Sequence, residues 1–364
     1  MDKLKNRLPK LLLLLLLSQF TSQCQKMKKV PDFHVEVSVP TNKYRVVAIY
    51  DYIKTLEKTA AGLPYGSSSG SWGSSGSMSG ENHGTPIGFE ITYYATYENK
   101  YYYVDANFDV AQMQDMADRC YVNSDEDSDT PVQEFVYRDN FAVLQSKNGS
   151  NRSYDTFGDI VFGFAPQGMV VVWMRYGGAN QIEIGRYQAK EVIDKDKIAE
   201  YRKKYETKYR LEGDSYEVQV KDMHIDNPSC KPWDDFRIKH NWNFDVTSDN
   251  KNFKFFEVLT EYFNAERETL LRPAILQPVI KKRAIPEVLT IRWETSAQER
   301  YISKLFFDWE KTNELLKLNS NNTFQIHINE NNTKIELMLN NKKIEIDSIR
   351  IYPNNVTKYR ESYK

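Results

Sequence analysis

After its first twenty residues the chain has no long apolar run, it holds only three cysteines, and it carries no excess of charge of either sign. Each absence narrows what the protein can do. No stretch beyond Cys24 approaches the ~20 apolar residues that a spanning helix needs, so the mature chain is expected to be soluble. The net charge is -1, with 49 Lys and Arg set against 50 Asp and Glu mixed throughout, and nucleic-acid binders present a basic footprint that is missing here. DNA and RNA are therefore not expected partners. Common catalytic motifs are missing as well: there is no Gly-x-Ser-x-Gly elbow and no His-Glu-x-x-His pair. The Gly/Ser stretch at 66–80 lacks the Gly-Lys-Ser/Thr ending of a phosphate-cradling loop, and no pattern calls for a cofactor. The reading leans away from an enzyme.

The most informative feature present is the N-terminus. Lys3, Lys5, Arg7 and Lys10 precede the leucine run from Leu11 to Leu17, which is the charged-then-apolar order of a secretory signal. Cys24 follows where a lipoprotein signal places the thiol that is acylated and becomes the mature N-terminus. Thr21 and Gln23 depart from the usual lipobox, while Phe20 and Gln23 also spoil ordinary cleavage, which wants small residues at two positions before the cut. The expectation is a signal peptide at 1–23, a tether at 24–32, and attachment to an envelope membrane through Cys24. The outer membrane is favoured, with a periplasmic or secreted protein as the alternative. In an oxidising envelope compartment, Cys120 and Cys230 can pair or remain separate thiols.

At 364 residues, with 24 Tyr and 18 Phe, the chain is long enough for two units and has a strand-favouring composition. The fold class expected is α+β, mainly β, with antiparallel sheets and a few short helices. An internal repeat supports two related domains. Phe33–Val37 and Tyr44–Ile49 correspond to Trp242–Val246 and Phe253–Val258, offset by 209 (242 minus 33). Phe89, Ile91 and Tyr93 correspond to Leu289, Ile291 and Trp293 at an offset of 200. Generic hairpins also resemble one another, but here several segments recur in the same order. Asp109 and Asp308 are placed to cap helices at Val110–Cys120 and Trp309–Leu318. The division expected is a first β-rich domain at 33–190, a helical, charged linker at 191–240, and a second β-rich domain at 241–364. Lys190–Tyr209 should be a solvated helix, and the Gly/Ser stretch a mobile loop.

Several clusters are candidate sites. Trp72, alone in a flexible polar segment, either folds back onto a sheet or meets a ligand. The run Tyr93, Tyr94, Tyr97, Tyr101, Tyr102 and Tyr103 must point rings to both faces of one hairpin. One face would be core, and an exposed face bearing Tyr94, Tyr97 and Tyr101 would suit a sugar or a protein; Tyr is also simply a good strand former. Asn123, Asp125, Asp127, Asp129 and Glu134 have calcium-loop spacing, but Ser128 stands where the turn glycine belongs. His224, Cys230 and His240 fit no standard zinc spacing, so no metal is expected.

The segments Trp72-Gly73, Pro86 with Phe89-x-Ile91-x-Tyr93, Lys100-Tyr-Tyr, Gly163-Phe-Ala-Pro-Gln-Gly168 running into Trp173, and Ile182–Ala189 resemble the family called domain of unknown function 2931. The likeness covers about residues 33–192 and is weaker in the second half. It implies export, often as a lipoprotein, and supplies no catalytic residues. The expected function is a non-catalytic protein-binding module of the envelope. A glycan-binding lipoprotein and a hydrolase of unrecognised type are the alternatives.

Overall fold

The computed structural model describes residues 30–64, 70–74, 81–123, 132–139, 154–213, 215–296 and 299–354. The leader, Cys24 and the acidic residues Asp125, Asp127 and Asp129 lie outside the described residues. Among those described, no helix is long and apolar enough to cross a membrane.

The first half opens with β1 (Asp32–Ser38), β2 (Val46–Thr55), β3 (Asn82–His83), β4 (Pro86–Ala95), β5 (Lys100–Asn107) and helix α1 (Val110–Asp118). It continues through β6 (Arg119–Val122), β7 (Phe135–Tyr137), β8 (Tyr154–Thr156), β9 (Asp159–Ala165), β10 (Met169–Tyr176), β11 (Asn180–Gln188) and β12 (Lys190–Glu191). A sheet in the order β12-β5-β4-β2 packs on β1, β9 and β10 through Phe89, Ile91, Tyr93, Val35, Phe162 and Val172. Every residue of β10 is buried, because its other face is covered too, by Trp72, Trp233 and Ala265. That double cover is why the sequence there is continuously apolar instead of alternating. Gly163 lies beneath Trp173, where a Cβ would come within 2.5 Å of the indole. Gly168 takes φ +78° in the β9–β10 turn, with the Ala189 carbonyl 2.6 Å from where its Cβ would be. Both glycines of the Gly163–Gly168 motif are thus backbone requirements.

Three helices follow, α2 (Lys195–Tyr209), α3 (Ser215–Met223) and α4 (Lys231–Asp235). The charged helix expected here is formed with most of its side chains exposed, and one side of it is seated: Tyr205, and Tyr216 of α3, are buried against Val47, Ile49, Tyr94 and Tyr101. The rings at Tyr201, Tyr205 and Tyr209 recur every four residues, which sets them on one face of α2 and seats that face on the sheet.

The second half contains β13 (His240–Ser248), β14 (Lys254–Tyr262), β15 (Arg267–Leu271), β16 (Lys281–Arg283), β17 (Pro286–Glu294), β18 (Arg300–Phe306) and α5 (Trp309–Lys317). It ends with β19 (Asn322–Ile328), β20 (Ile335–Leu339), β21 (Lys342–Lys343) and β22 (Ser348–Pro353). Beyond Lys343, Ile344 still donates its amide to the Leu337 carbonyl. Both capping aspartates act as expected, Asp109 accepting from the Gln112 amide and Asp308 from the Lys311 amide, each at 2.8 Å.

The two halves share one order of strand pairing. β1 runs parallel to β9 as β13 does to β19, and β2-β4-β5-β12 is matched by β14-β17-β18-β22. Each first pair carries two register shifts, after Ala48 and Lys54 in β2 and after Phe255 and Glu261 in β14. Asp32–Lys364 is a single unit by contact density. A ten-stranded sheet, β22-β18-β17-β14-β15-β11-β10-β9-β1-β3, crosses the boundary placed at 191–240 from sequence. Its narrowest join is one residue pair, Gln181 opposite Arg267.

Candidate functional site

The β4–β5 hairpin distributes its tyrosines by alternation, as a strand must. Tyr93, Tyr97 and Tyr102 enter the core between the sheets. Tyr94 and Tyr101 point outward, yet the exposed face expected for Tyr94, Tyr97 and Tyr101 is not formed by them. Helices α2 and α3 cover it, with the Tyr94 ring 4.7 Å from Tyr101 and 5.0 Å from Tyr205. Burial pushes both phenols well above the ordinary tyrosine value. Trp72 also turns inward: its ring meets Trp173 edge-on at 5.1 Å and lies 6.2 Å from Trp233. The adjoining Gly73 is buried; its amide bonds Ser38, and its carbonyl accepts from Arg175 at 2.9 Å and Gln181 at 3.0 Å. Within the Gly/Ser stretch, Trp72 and Gly73 are thus packed, while Gly70 and Ser71 are exposed and residues 66–69 and 75–80 lie outside the described residues.

The disulfide is not formed; Cys120 and Cys230 are free thiols. Cys120 is packed with Val122, Val136 and Tyr154, and burial raises its thiol to about 11. Cys230 lies against Gln167 and Asp234. His240 bonds Asn313 at 2.9 Å and His224 faces Asp226 at 3.3 Å, and no metal-holding group is found among the described residues.

Exposed aromatic surface appears one step further along the same sheet. Across β2, β4, β5 and β12, one row reads Tyr50, Thr92, Tyr103, Lys190. Tyr52 stands two residues along from Tyr50, opposite Glu90. Tyr50 and Tyr52 are each 43% exposed, Tyr103 is 37%, and Ile193, just beyond β12, is 84%. The bulge at Ile49 makes this possible. An extra residue lets two neighbours share one side of a strand, so Ile49 goes under the helices while Tyr50 starts the open part of the same face.

The surface is a groove of about 720 Å³, walled by Tyr50, Tyr52, Tyr103 and Tyr201 with Lys190–Asp194 along the rim. A second depression, about 770 Å³, shares Tyr50 and Asp51 and runs between β2 and Lys203, Lys204 and Lys208 of α2. Tyr50 is held in place, donating to Glu200 at 2.6 Å beneath Lys204 Nζ, which sits 3.2 Å from the ring centre. Its phenol is raised chiefly by that hydrogen bond. Tyr103 donates to Glu90 at 3.0 Å, and burial followed by that bond raises its phenol. The other carboxylates are engaged as well. Asp51 accepts from the Leu63 amide, Glu191 from Lys100, and Asp194 from the first amides of α2.

Tyr50, Tyr52, Tyr201 and Ile193 were not among the residues singled out from sequence. The available signal was Tyr50-Asp-Tyr52, an aromatic alternation that the bulge brings onto the same face as Val47.

The family model described as protein of unknown function (DUF2931) matches residues 20–234, more than half of the chain. It includes the whole first half, α2 to most of α4, and the tyrosine groove. No curated protein and no solved structure matches.

Proposed function

The chain belongs to the DUF2931 family of proteins of unknown function, and from that premise we propose that it is an exported envelope protein, anchored by acylated Cys24, that binds a protein partner. The observation that carries the binding role is the open row of Tyr50, Tyr52 and Tyr103 beside Ile193. Tyrosine gives large, rigid contact area at small entropic cost, and exposed rings grouped with an aliphatic side chain are the composition of interface centres. Two adjoining depressions sharing Tyr50 and Asp51 favour an elongated partner over a compact small molecule. The export reading rests on the charged and leucine-rich leader and on the position of Cys24.

The binding test compares partner recovery from native envelope by the tethered protein and by a Tyr52→Ala/Tyr103→Ala variant. A reproducible partner, lost in the double variant, supports the proposal; no partner, or one retained by the variant, sinks it. Sugar binding on a glycan array, lost in the same variant, would replace the protein ligand with a glycan, which the ring–carboxylate pairs Tyr103–Glu90 and Tyr50–Glu200 would also suit. Mass spectrometry of the mature N-terminus tests the anchor. A diacylglyceryl-modified Cys24 is expected, and an unmodified cysteine or a start elsewhere contradicts it.

A further inference from the structure

The bulge in each half fixes which residues correspond: Ala48–Lys54 of β2 match Phe255–Glu261 of β14 at an offset of 207 (255 minus 48). In the second half the edge of β14 away from β17 is taken by β15, which runs antiparallel with Leu271 opposite Glu257 and Arg267 opposite Glu261. In the first half the chain after β2 begins the same pairing and then leaves it. Ile53 donates its amide to Ala61 at 2.9 Å, the counterpart of the Thr260–Glu268 pair. The Leu63 amide, however, goes to the Asp51 side chain at 2.7 Å, and Pro64, at the place of Leu271, has no amide to give. Among the described residues β2 pairs with β4 and no strand lies beyond it. Its edge at Ala48–Asp51 is therefore open where the same scaffold elsewhere carries a strand.

The depression of about 770 Å³ lies along this edge. Four consecutive residues of β2, Ala48 to Asp51, line it, and because neighbouring side chains point to opposite faces, only the edge of a strand presents four in a row. The far wall is α2, whose ammonium groups come down onto the edge. Lys208 Nζ lies 3.4 Å from the Ala48 carbonyl, Lys204 Nζ lies 3.2 Å from the centre of the Tyr50 ring, and the exposed Lys203 lines the same wall. The two carboxylates of the depression are engaged, Asp51 by the Leu63 amide and Glu200 by the Tyr50 hydroxyl. Among the described residues neither Lys203 nor Lys204 has an ion pair, whereas Arg202 takes both Glu206 and Glu217. Burial holds the Lys208 ammonium below its ordinary value, with Asp51 opposing that shift and Lys204 adding to it.

We propose that the partner docks as an extended strand added to β2 at Ala48–Asp51, antiparallel as β15 is to β14, with carboxylates at alternate positions facing Lys203, Lys204 and Lys208; this rests on the protein-binding reading above and gives that partner its form. Backbone pairing along a sheet edge supplies affinity, and alternate side chains supply specificity. Lysines beside an open edge discourage pairing with a second copy of the same chain. A strand carrying carboxylates is instead attracted by them, so the charge that protects the edge also selects its occupant. Tyr50 and Asp51 belong to both depressions, so a strand laid along β2 leads directly into the tyrosine groove.

The mature chain carrying Cys24→Ser is titrated by calorimetry with short synthetic peptides, one alternating Glu and Val and one alternating Lys and Val. Saturable binding of the acidic peptide and none of the basic one is expected, with slower amide exchange at residues 48–51. Affinity should fall roughly tenfold in Lys203→Glu/Lys208→Glu, a change at two exposed positions that leaves the fold intact. N-methylation separates strand addition from loose charge attraction: methylating the amides of one residue type in the acidic peptide should abolish binding, and methylating those of the other should leave it. No binding of the acidic peptide, affinity unaltered in the lysine variant, or indifference to which amides are methylated overturns the proposal. A dimer by sedimentation, lost in the lysine variant, would give the edge to a second copy and overturn it too. In native envelope, a partner lost in both the lysine and the Tyr52→Ala/Tyr103→Ala variants supports the added strand, and one lost only in the tyrosine variant overturns it while the groove reading stands. Because the peptides are added directly, an envelope that yields no partner sinks the protein-binding reading and leaves the edge to be decided by titration.

Discussion

The two halves carry one pairing scheme and dress its outer face differently. The row Tyr50, Thr92, Tyr103, Lys190 of the first half is, in the second, Glu257, Arg292, Ile302, Tyr352. The next cross-strand pair, Tyr94–Tyr101, is Glu294–Arg300. Where α2 and α3 cover the sheet, rings are used; in the second half the same positions hold ion pairs, Glu257 with Arg292 and Glu294 with Arg300. The scaffold therefore accepts either chemistry at these positions, and pairing does not require tyrosine. Tyr94 and Tyr101 are explained by their helical cover. Tyr50 leans on α2 through Glu200, Tyr201 and Lys204, whereas Tyr52 and Tyr103 are more than a third exposed and remain aromatic, which is the strongest reason to test them for a contact role.

The comparison breaks most visibly at the ion pair. Glu257 is fully buried, so Arg292→Leu removes a cation from a carboxylate inside the sheet and should cost about 3 kcal/mol by urea unfolding. Thr92→Ala, at the equivalent place, should cost less than about 1 kcal/mol. Equal costs would mean that the two rows are not equivalent. Similar in size, Tyr94→Ala empties a ring-sized space beneath α2 and should cost about 3 kcal/mol, with α2 exchanging its amides faster.

At the join the test is pH. Burial disfavours the Glu268 carboxylate, but Arg283 and Lys281 outweigh it and hold the group at about 2. Its folded value thus lies below the ~4.3 of an unfolded glutamate, so the charge stabilises the fold above that pH and the contribution disappears as pH falls toward 2. The stability gap between the native chain and Glu268→Gln should be widest near neutrality, on the order of 3 kcal/mol, shrink through pH ~4 and close as pH approaches ~2. A gap that does not change with pH would show that the carboxylate is not held by these cations.

Much of this architecture could be read from residues alone, and the exceptions have physical causes. Continuous apolar runs at β9 and β10, clean alternation at β19 and β20, and the helix-starting Asp109 and Asp308 are local signals, and the structure follows them. The recurrence at offsets near 200 also anticipated that both halves pair alike. The parallel partners of β1 and β13 left no trace, because which distant strand lies alongside is not written in either one's sequence. In helix α2 the lysines and glutamates announce the exposed sides and mask the stripe at Tyr201, Tyr205 and Tyr209 that seats it. The groove was missed for a related reason. Alternation predicts facing only while the register is unbroken, and the bulge at Ile49 reverses it just before Tyr50.

The smallest stability change carries the sharpest test. Tyr52 and Tyr103 are more than a third exposed and neither fills a core cluster, so Tyr52→Ala/Tyr103→Ala should lower stability by less than about 1 kcal/mol. Rings kept only for their fit to a strand would cost more when removed, since cross-strand aromatic pairing contributes to sheet stability. Rings kept for a partner would cost little in the isolated chain and much in the complex, where a few buried aromatics dominate affinity. Near-native unfolding with lost partner binding places Tyr52 and Tyr103 in the second class. A large loss of stability would return them to the sheet.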